Sequence, residues 1–137
     1  MGVWKDKPER RLVNAALVFK RDMSWAIPFM KLICEKHERP PTYLVRKAFC
    51  VKYTDRPNEP FSAGDLALDK EFWKRIQFRI PERNAWLGEA LSRESIAQDR
   101  SPSDVLFVAF SEVYGIEYPE YRKLYEKWKE VVLPEAA

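Results

Sequence analysis

Residues 101–132, SPSDVLFVAFSEVYGIEYPEYRKLYEKWKEVV, carry the densest structural punctuation in the chain and restrict its fold more than any other stretch. Ser101 and Asp104 stand at capping-box spacing. Pro102 occupies a first helical position, where its missing N–H costs no hydrogen bond. Val105, Leu106, Ala109, Phe110 and Val113 recur at helical spacing and make one apolar stripe. Gly115 can take the left-handed geometry of a helix stop. Pro119 suits the first turn of a second helix, whose stripe is Tyr121, Leu124, Tyr125, Trp128, Val131 and Val132, and Pro134 ends it. The expectation is a helical hairpin in which Phe110 meets Trp128.

Upstream, the same reasoning predicts more helices. Pro8 opens one, with Leu12, Val13, Ala16, Leu17 and Lys20 on a face. Ser24 caps another, with Ala26, Met30, Ile33, Cys34 and His37 as its stripe, and Pro40-Pro41 stops it. TYLVRKAFCVKYT, residues 42–54, fits both periods. A helix groups Leu44, Val45, Ala48, Phe49 and Lys52; a strand groups Tyr43, Val45, Lys47, Phe49, Val51 and Tyr53. The Pro-Pro-Thr start favours the helix. Residues 54–64, TDRPNEPFSAG, form a loop. Asp65 or Asp69 then caps a helix carrying Leu66, Phe72, Trp73, Ile76 and Ile80, broken by Pro81. Trp86, Leu87, Ala90 and Leu91 mark a short helix that fades through SRESIAQDR. No internal repeat is evident. The expected architecture is all-α: five to seven short helices, with a basic N-terminal helical region and a C-terminal helical hairpin.

Within 137 residues, 46% of them apolar, one domain with a real core is expected. Ten prolines against four glycines fit helices stopped by stiff turns and a thermophilic source. Charge divides the chain. Residues 1–60 hold thirteen Lys and Arg against seven Asp and Glu, whereas 61–137 hold eleven against fourteen. The division predicts a basic, arm-like region over 1–60 that seeks an anionic partner, and a compact helical part over 61–137 that folds by itself.

The residues that would meet nucleic acid are Lys5, Lys7, Arg10, Arg11, Lys20, Arg21, Lys31, Lys36, Arg39, Arg46, Lys47 and Lys52. Cations spread along helices suit contacts to many phosphates without base reading. Residues 25–53 also have the lengths of a helix-turn-helix, in which Arg46, Lys47 and Lys52 would face DNA. A third reading is a helical adaptor whose aromatic surfaces bind protein alone.

Catalytic and metal chemistry find little footing. His37 is the only histidine, with Cys34 one turn away on the same stripe, where both read as core residues. Cys34, His37 and Cys50 lack zinc-site spacing and a fourth ligand. Asp65, Asp69 and Glu71 suit helix caps and first-turn acids. Glycines at 2, 64, 88 and 115 cannot form a phosphate loop. No enzymatic activity, metal or cofactor is therefore expected. No apolar run approaches the ~18 residues of a membrane span, and MGVWKDKPERR lacks a signal-peptide core.

Tyr114-Gly115-Ile116 with Pro119, Arg122 and Tyr125 resembles a segment of the helical coat proteins of rod-shaped and filamentous archaeal viruses. The resemblance covers six positions. It implies a basic N-terminal helical arm that wraps double-stranded DNA and a compact helical part that packs on neighbouring subunits, located in a virion or a cytoplasm. Here the segment lies near the C-terminus, and the N-terminal region is richer in charge and Trp than theirs. The expected function is a non-enzymatic protein that coats or packages duplex DNA in many copies.

Overall fold

The computed structural model describes residues 4–56 and 75–132. Strand β1 (Asn14–Val18) precedes helices α1 (Ala26–His37) and α2 (Pro41–Tyr53). Strand β2 (Arg75–Arg79) precedes α3 (Ala85–Gln98), α4 (Pro102–Tyr114) and α5 (Pro119–Val132). The fold is mainly helical, with short helices, as the sequence predicts. Its sheet, among the described residues, is one two-stranded antiparallel ribbon.

That ribbon replaces two expected helices. Pro8 opens no helix; residues 8–12 carry no helix or strand assignment and lead into β1. Ile76 belongs to a strand, not to a helix running from Asp65 to Ile80, and the remainder of that expectation lies outside the described residues. Asn14 pairs with Arg79, Ala16 with Gln77 and Val18 with Arg75. The Ile80 N–H extends the ladder to the Val13 carbonyl at 2.8 Å. Both segments alternate, so one face enters the core through Ala15, Leu17 and Ile76 while the other faces out. NAALV fits a helical stripe as well as an alternation; the available partner strand decides between them.

The ambiguous stretch at 42–53 is helical, as the Pro-Pro-Thr start favours. Ser24 does not cap α1; Trp25 precedes it without a side-chain cap. The α3 helix does not fade after Leu91 but continues to Gln98, with Ser92 and Ser95 buried. The Ser101 hydroxyl accepts from the Asp104 N–H at 3.2 Å, as the capping box requires. Gly115 stays right-handed at φ −62° and passes directly into a 3-10 turn, so no left-handed stop is used there. The ring that meets Trp128 is Phe107, edge-on at 4.8 Å, while Phe110 packs on Phe29 and Tyr114.

The chain also contains a repeat that the sequence hides. Each half runs strand, 3-10 turn, helix, left-handed residue, then a helix with proline at its start. The 3-10 turns are Arg21–Met23 and Glu82–Asn84. The left-handed residues are Glu38 and Asp99, both at φ 53°. Proline opens α2 at Pro41 and α4 at Pro102. All these pairs are 61 positions apart, as are Ala16 and Gln77, which face each other at the centre of the ribbon. Strand pairing centred on equivalent residues is the mark of an approximate two-fold axis through the ribbon. The packing agrees: α2 and α4 make the most extensive contact, α4 rests on β1, and α2 rests on β2.

Between residues 14–53 and 75–114 six residues coincide: Trp25/Trp86, Arg39/Arg100, Pro41/Pro102, Ala48/Ala109, Phe49/Phe110 and Tyr53/Tyr114. The two halves share one core, which includes Leu17, Phe29, Ile33, Val45 and Phe49 of the first and Ile76, Leu91, Leu106, Phe107 and Phe110 of the second. The boundary expected near residue 60 lies outside the described residues. Beyond the repeat, α5 covers one flank of α4 through Tyr125 and Trp128.

Candidate nucleic-acid interface

The outer face of the ribbon is built by register. Residues paired across an antiparallel ladder point the same way, so Asn14, Ala16 and Val18 share a face with Arg79, Gln77 and Arg75. Arg75, Gln77 and Arg79 are exposed, as is Asn14; Ala16 and Val18 are half-buried between them. Among the described residues the side chains of Arg75, Gln77 and Arg79 make no ion pair and no hydrogen bond. They border a shallow depression of about 300 Å³ lined also by Asn14, Ala15, Ala16 and Phe78. The inner face holds the ribbon rigidly. Leu17 and Ile76 are buried, and the Val18 N–H donates to the Ser103 hydroxyl at the start of α4 at 2.8 Å. Two guanidinium groups and an amide thus stand on a stiff support with free donors.

The twelve cations expected to meet phosphates are distributed quite differently. Lys5, Lys7, Arg10 and Arg11 lie on the N-terminal segment, which is tied to α3: the Trp4 and Lys5 N–H groups both donate to Asp99 at 3.0 Å, and the Arg10 N–H donates to Ser92 at 3.1 Å. Lys7 sits over the Trp4 ring at 4.0 Å. Among the described residues, Arg11 pairs with Glu82, Lys20 with Asp104, Lys36 with Glu117 and Lys52 with Glu112. Arg39 lies over the Tyr43 ring. Arg21 and Lys31 are exposed, and Lys47 is half-buried.

Arg46 is buried at 2% exposure. Its Nε donates to the Thr42 carbonyl at 3.3 Å, and its guanidinium lies over the Phe78 ring. The repeat explains this burial: Arg46 occupies the position that Phe107 fills in the other half. Its stem serves as core, and it does not face a phosphate. The α1–α2 pair has the lengths of a helix-turn-helix, but α2 buries Leu44, Val45, Arg46, Ala48, Phe49 and Cys50 against the rest of the molecule. A recognition helix must offer its face to the groove, and α2 does not.

The acids that bind these lysines are tuned by them. Burial raises the Glu117 carboxyl, but the Lys36 and His37 hydrogen bonds and charges outweigh it and hold the carboxyl below its ordinary 4.5. Glu112 behaves likewise: burial is opposed and overcome by Tyr125, Lys52 and Lys129. His37 therefore reaches out to Glu117 at 3.0 Å and is not the core residue the stripe suggested. Cys34 is half-buried, with its thiol pushed up to about 12 by burial, and Cys50 is buried. A thiol so placed is not a thiolate near neutrality. Among the described residues no cluster of His, Cys, Asp and Glu could hold a metal ion, and no helix is long and apolar enough to cross a membrane.

Sequence reasoning missed Arg75, Gln77 and Arg79 because it read RIQFRI as the end of a helix. The strict alternation of polar and apolar residues was the available signal. Compared with known proteins, the chain matches no family, no curated protein and no solved structure.

Proposed function

We propose that this protein binds duplex DNA by laying the β1–β2 ribbon in the major groove. The observation that carries the reading is the outer face: Arg75, Gln77 and Arg79, exposed and unpaired among the described residues, on a ribbon whose other face is core. The dimensions agree. Paired strands lie ~4.8 Å apart, and a groove about 12 Å wide admits two strands with their side chains. Alternate residues of a strand are ~6.8 Å apart, about two base-pair steps, so three side chains on one strand can address every second base pair along the groove. Arg pairs with guanine O6 and N7, and Gln with adenine N6 and N7. The first turn of α4 lies beside the ribbon, where Ser103 accepts the Val18 N–H, and helix N-termini favour phosphate.

The coat-like reading uses the same partner but a different surface and no base contacts. Binding titrations of the full chain against several duplex sequences across a salt series separate the two. The ribbon reading expects sequence preference and a salt slope of roughly −0.9 per phosphate neutralised. It also expects the variant carrying Arg75→Ala, Gln77→Ala and Arg79→Ala to melt as wild type does and to lose selective binding. Equal affinity for all duplexes, lost on replacing Lys5, Lys7, Arg10 and Arg21 but not the ribbon residues, would establish backbone coating instead. Absence of binding at low salt would leave the adaptor reading.

A further inference from the structure

We infer that the ribbon reads a DNA site without two-fold symmetry, with base recognition concentrated in β2. This rests on the function just proposed and specifies its target. The scaffold is nearly symmetric: two equivalent strand–helix–helix units meet about an axis through the Ala16–Gln77 pair. A symmetric scaffold with identical reading residues would select an inverted repeat, because DNA strands are themselves related by two-fold axes. The reading residues here are not identical. The equivalent positions are Asn14 and Arg75, Ala16 and Gln77, and Val18 and Arg79, and all three pairs differ in kind.

On β2 every outward residue can donate in the groove. Arg75 and Arg79 each favour guanine, and Gln77 between them favours adenine. On β1 only Asn14 carries a polar group; Ala16 and Val18 offer methyl groups, whose complement in the groove is the thymine 5-methyl. The ladder sets Arg75 beside Val18 at one end of the ribbon and Arg79 beside Asn14 at the other, so the two ends of the site meet different groups, with hydrogen bonding to purines concentrated in β2. The asymmetry extends beyond the ribbon. Lys20, just past β1, is bound to Asp104 at 3.6 Å, and its equivalent past β2 is Pro81. A single polypeptide that carries both units fixes this inequality within each molecule.

The test is selection of binding sequences from a pool of duplexes with a randomised core, using the full chain. A consensus with no inverted repeat, in which guanines lie to either side of a central adenine, is the expected result. Arg79→Ala should lower affinity for the selected site by roughly 5- to 150-fold and relax one position only. A second variant makes the two strands equivalent: Asn14→Arg, Ala16→Gln and Val18→Arg together. It should select an inverted repeat. Its helical spectrum and melting show whether it folds. An inverted-repeat consensus from the wild-type chain would overturn the inference while leaving duplex binding intact. Enrichment of no sequence from a pool that is nonetheless bound would overturn base reading itself. If the symmetrised variant fails to fold, the wild-type consensus and the Arg79→Ala profile still decide.

Discussion

Arg46 shows how far a residue's chemistry depends on its place. By type it is a phosphate ligand; by position it is the counterpart of Phe107 in a core. Arg46→Ala is expected to destabilise the fold by an amount typical of a buried large-to-small change, ~2–5 kcal/mol, with any loss of DNA affinity traceable to unfolding. Thermal melting beside binding at low temperature separates the two effects. Gly88 is the converse case. Ala would ordinarily gain ~1 kcal/mol inside a helix, but a Cβ at Gly88 collides with the Leu12 carbonyl. Gly88→Ala should therefore lower the melting temperature, and a rise would mean the N-terminal segment yields easily. Glu117 gives a prediction with a sign. Its carboxyl is held below 4.5 in the folded state, so its contribution is present above that pH and is lost as pH falls through the folded value. Glu117→Gln should therefore lower stability near neutrality and flatten its further loss below about pH 4.5.

Among the elements, the helices obey local rules and the strands do not. Ser101 and Pro102 start α4 where their chemistry says they should. Removing the cap with Ser101→Ala is expected to cost ~1 kcal/mol, readable as a shift in denaturant midpoint. Ser103 has a longer reach, because its hydroxyl accepts the Val18 N–H; Ser103→Ala leaves that strand donor unpaired and should speed hydrogen exchange at Val18 more than at the ribbon centre. Phe107 joins elements from both halves, meeting Phe19, Trp25, Tyr125 and Trp128. Phe107→Ala should cost ~3–5 kcal/mol, more than truncating half-exposed Leu124 on the same hairpin.

At the scale of the whole molecule, the repeat changes what the two halves of the chain can do alone. The C-terminal half was expected to fold by itself because it holds the better-marked helices. Yet β2 takes its ladder from β1, and α4 takes its largest contact from α2. Fragments 1–60 and 61–137 should each be poorly ordered or self-associated, and mixing them should restore the helical spectrum. A 61–137 fragment that is monomeric and fully helical would refute this.

The sequence by itself determined the helical class, α2 through its Pro-Pro-Thr start, the α4–α5 hairpin, and an aromatic core. Those signals are local: caps, prolines and a 3.6-residue period act within a few turns of their own chain. It did not determine the ribbon, its outward face or the burial of Arg46. NAALV and RIQFR have apolar patterns that a helix or a strand could use, and only a partner some sixty residues away supplies the hydrogen bonds that make them strands. The repeat was hidden for a related reason. A fold symmetric in backbone needs matching turns and a matching volume of core, not matching residues, so six identities among forty positions leave it nearly invisible in the sequence while the tertiary structure displays it.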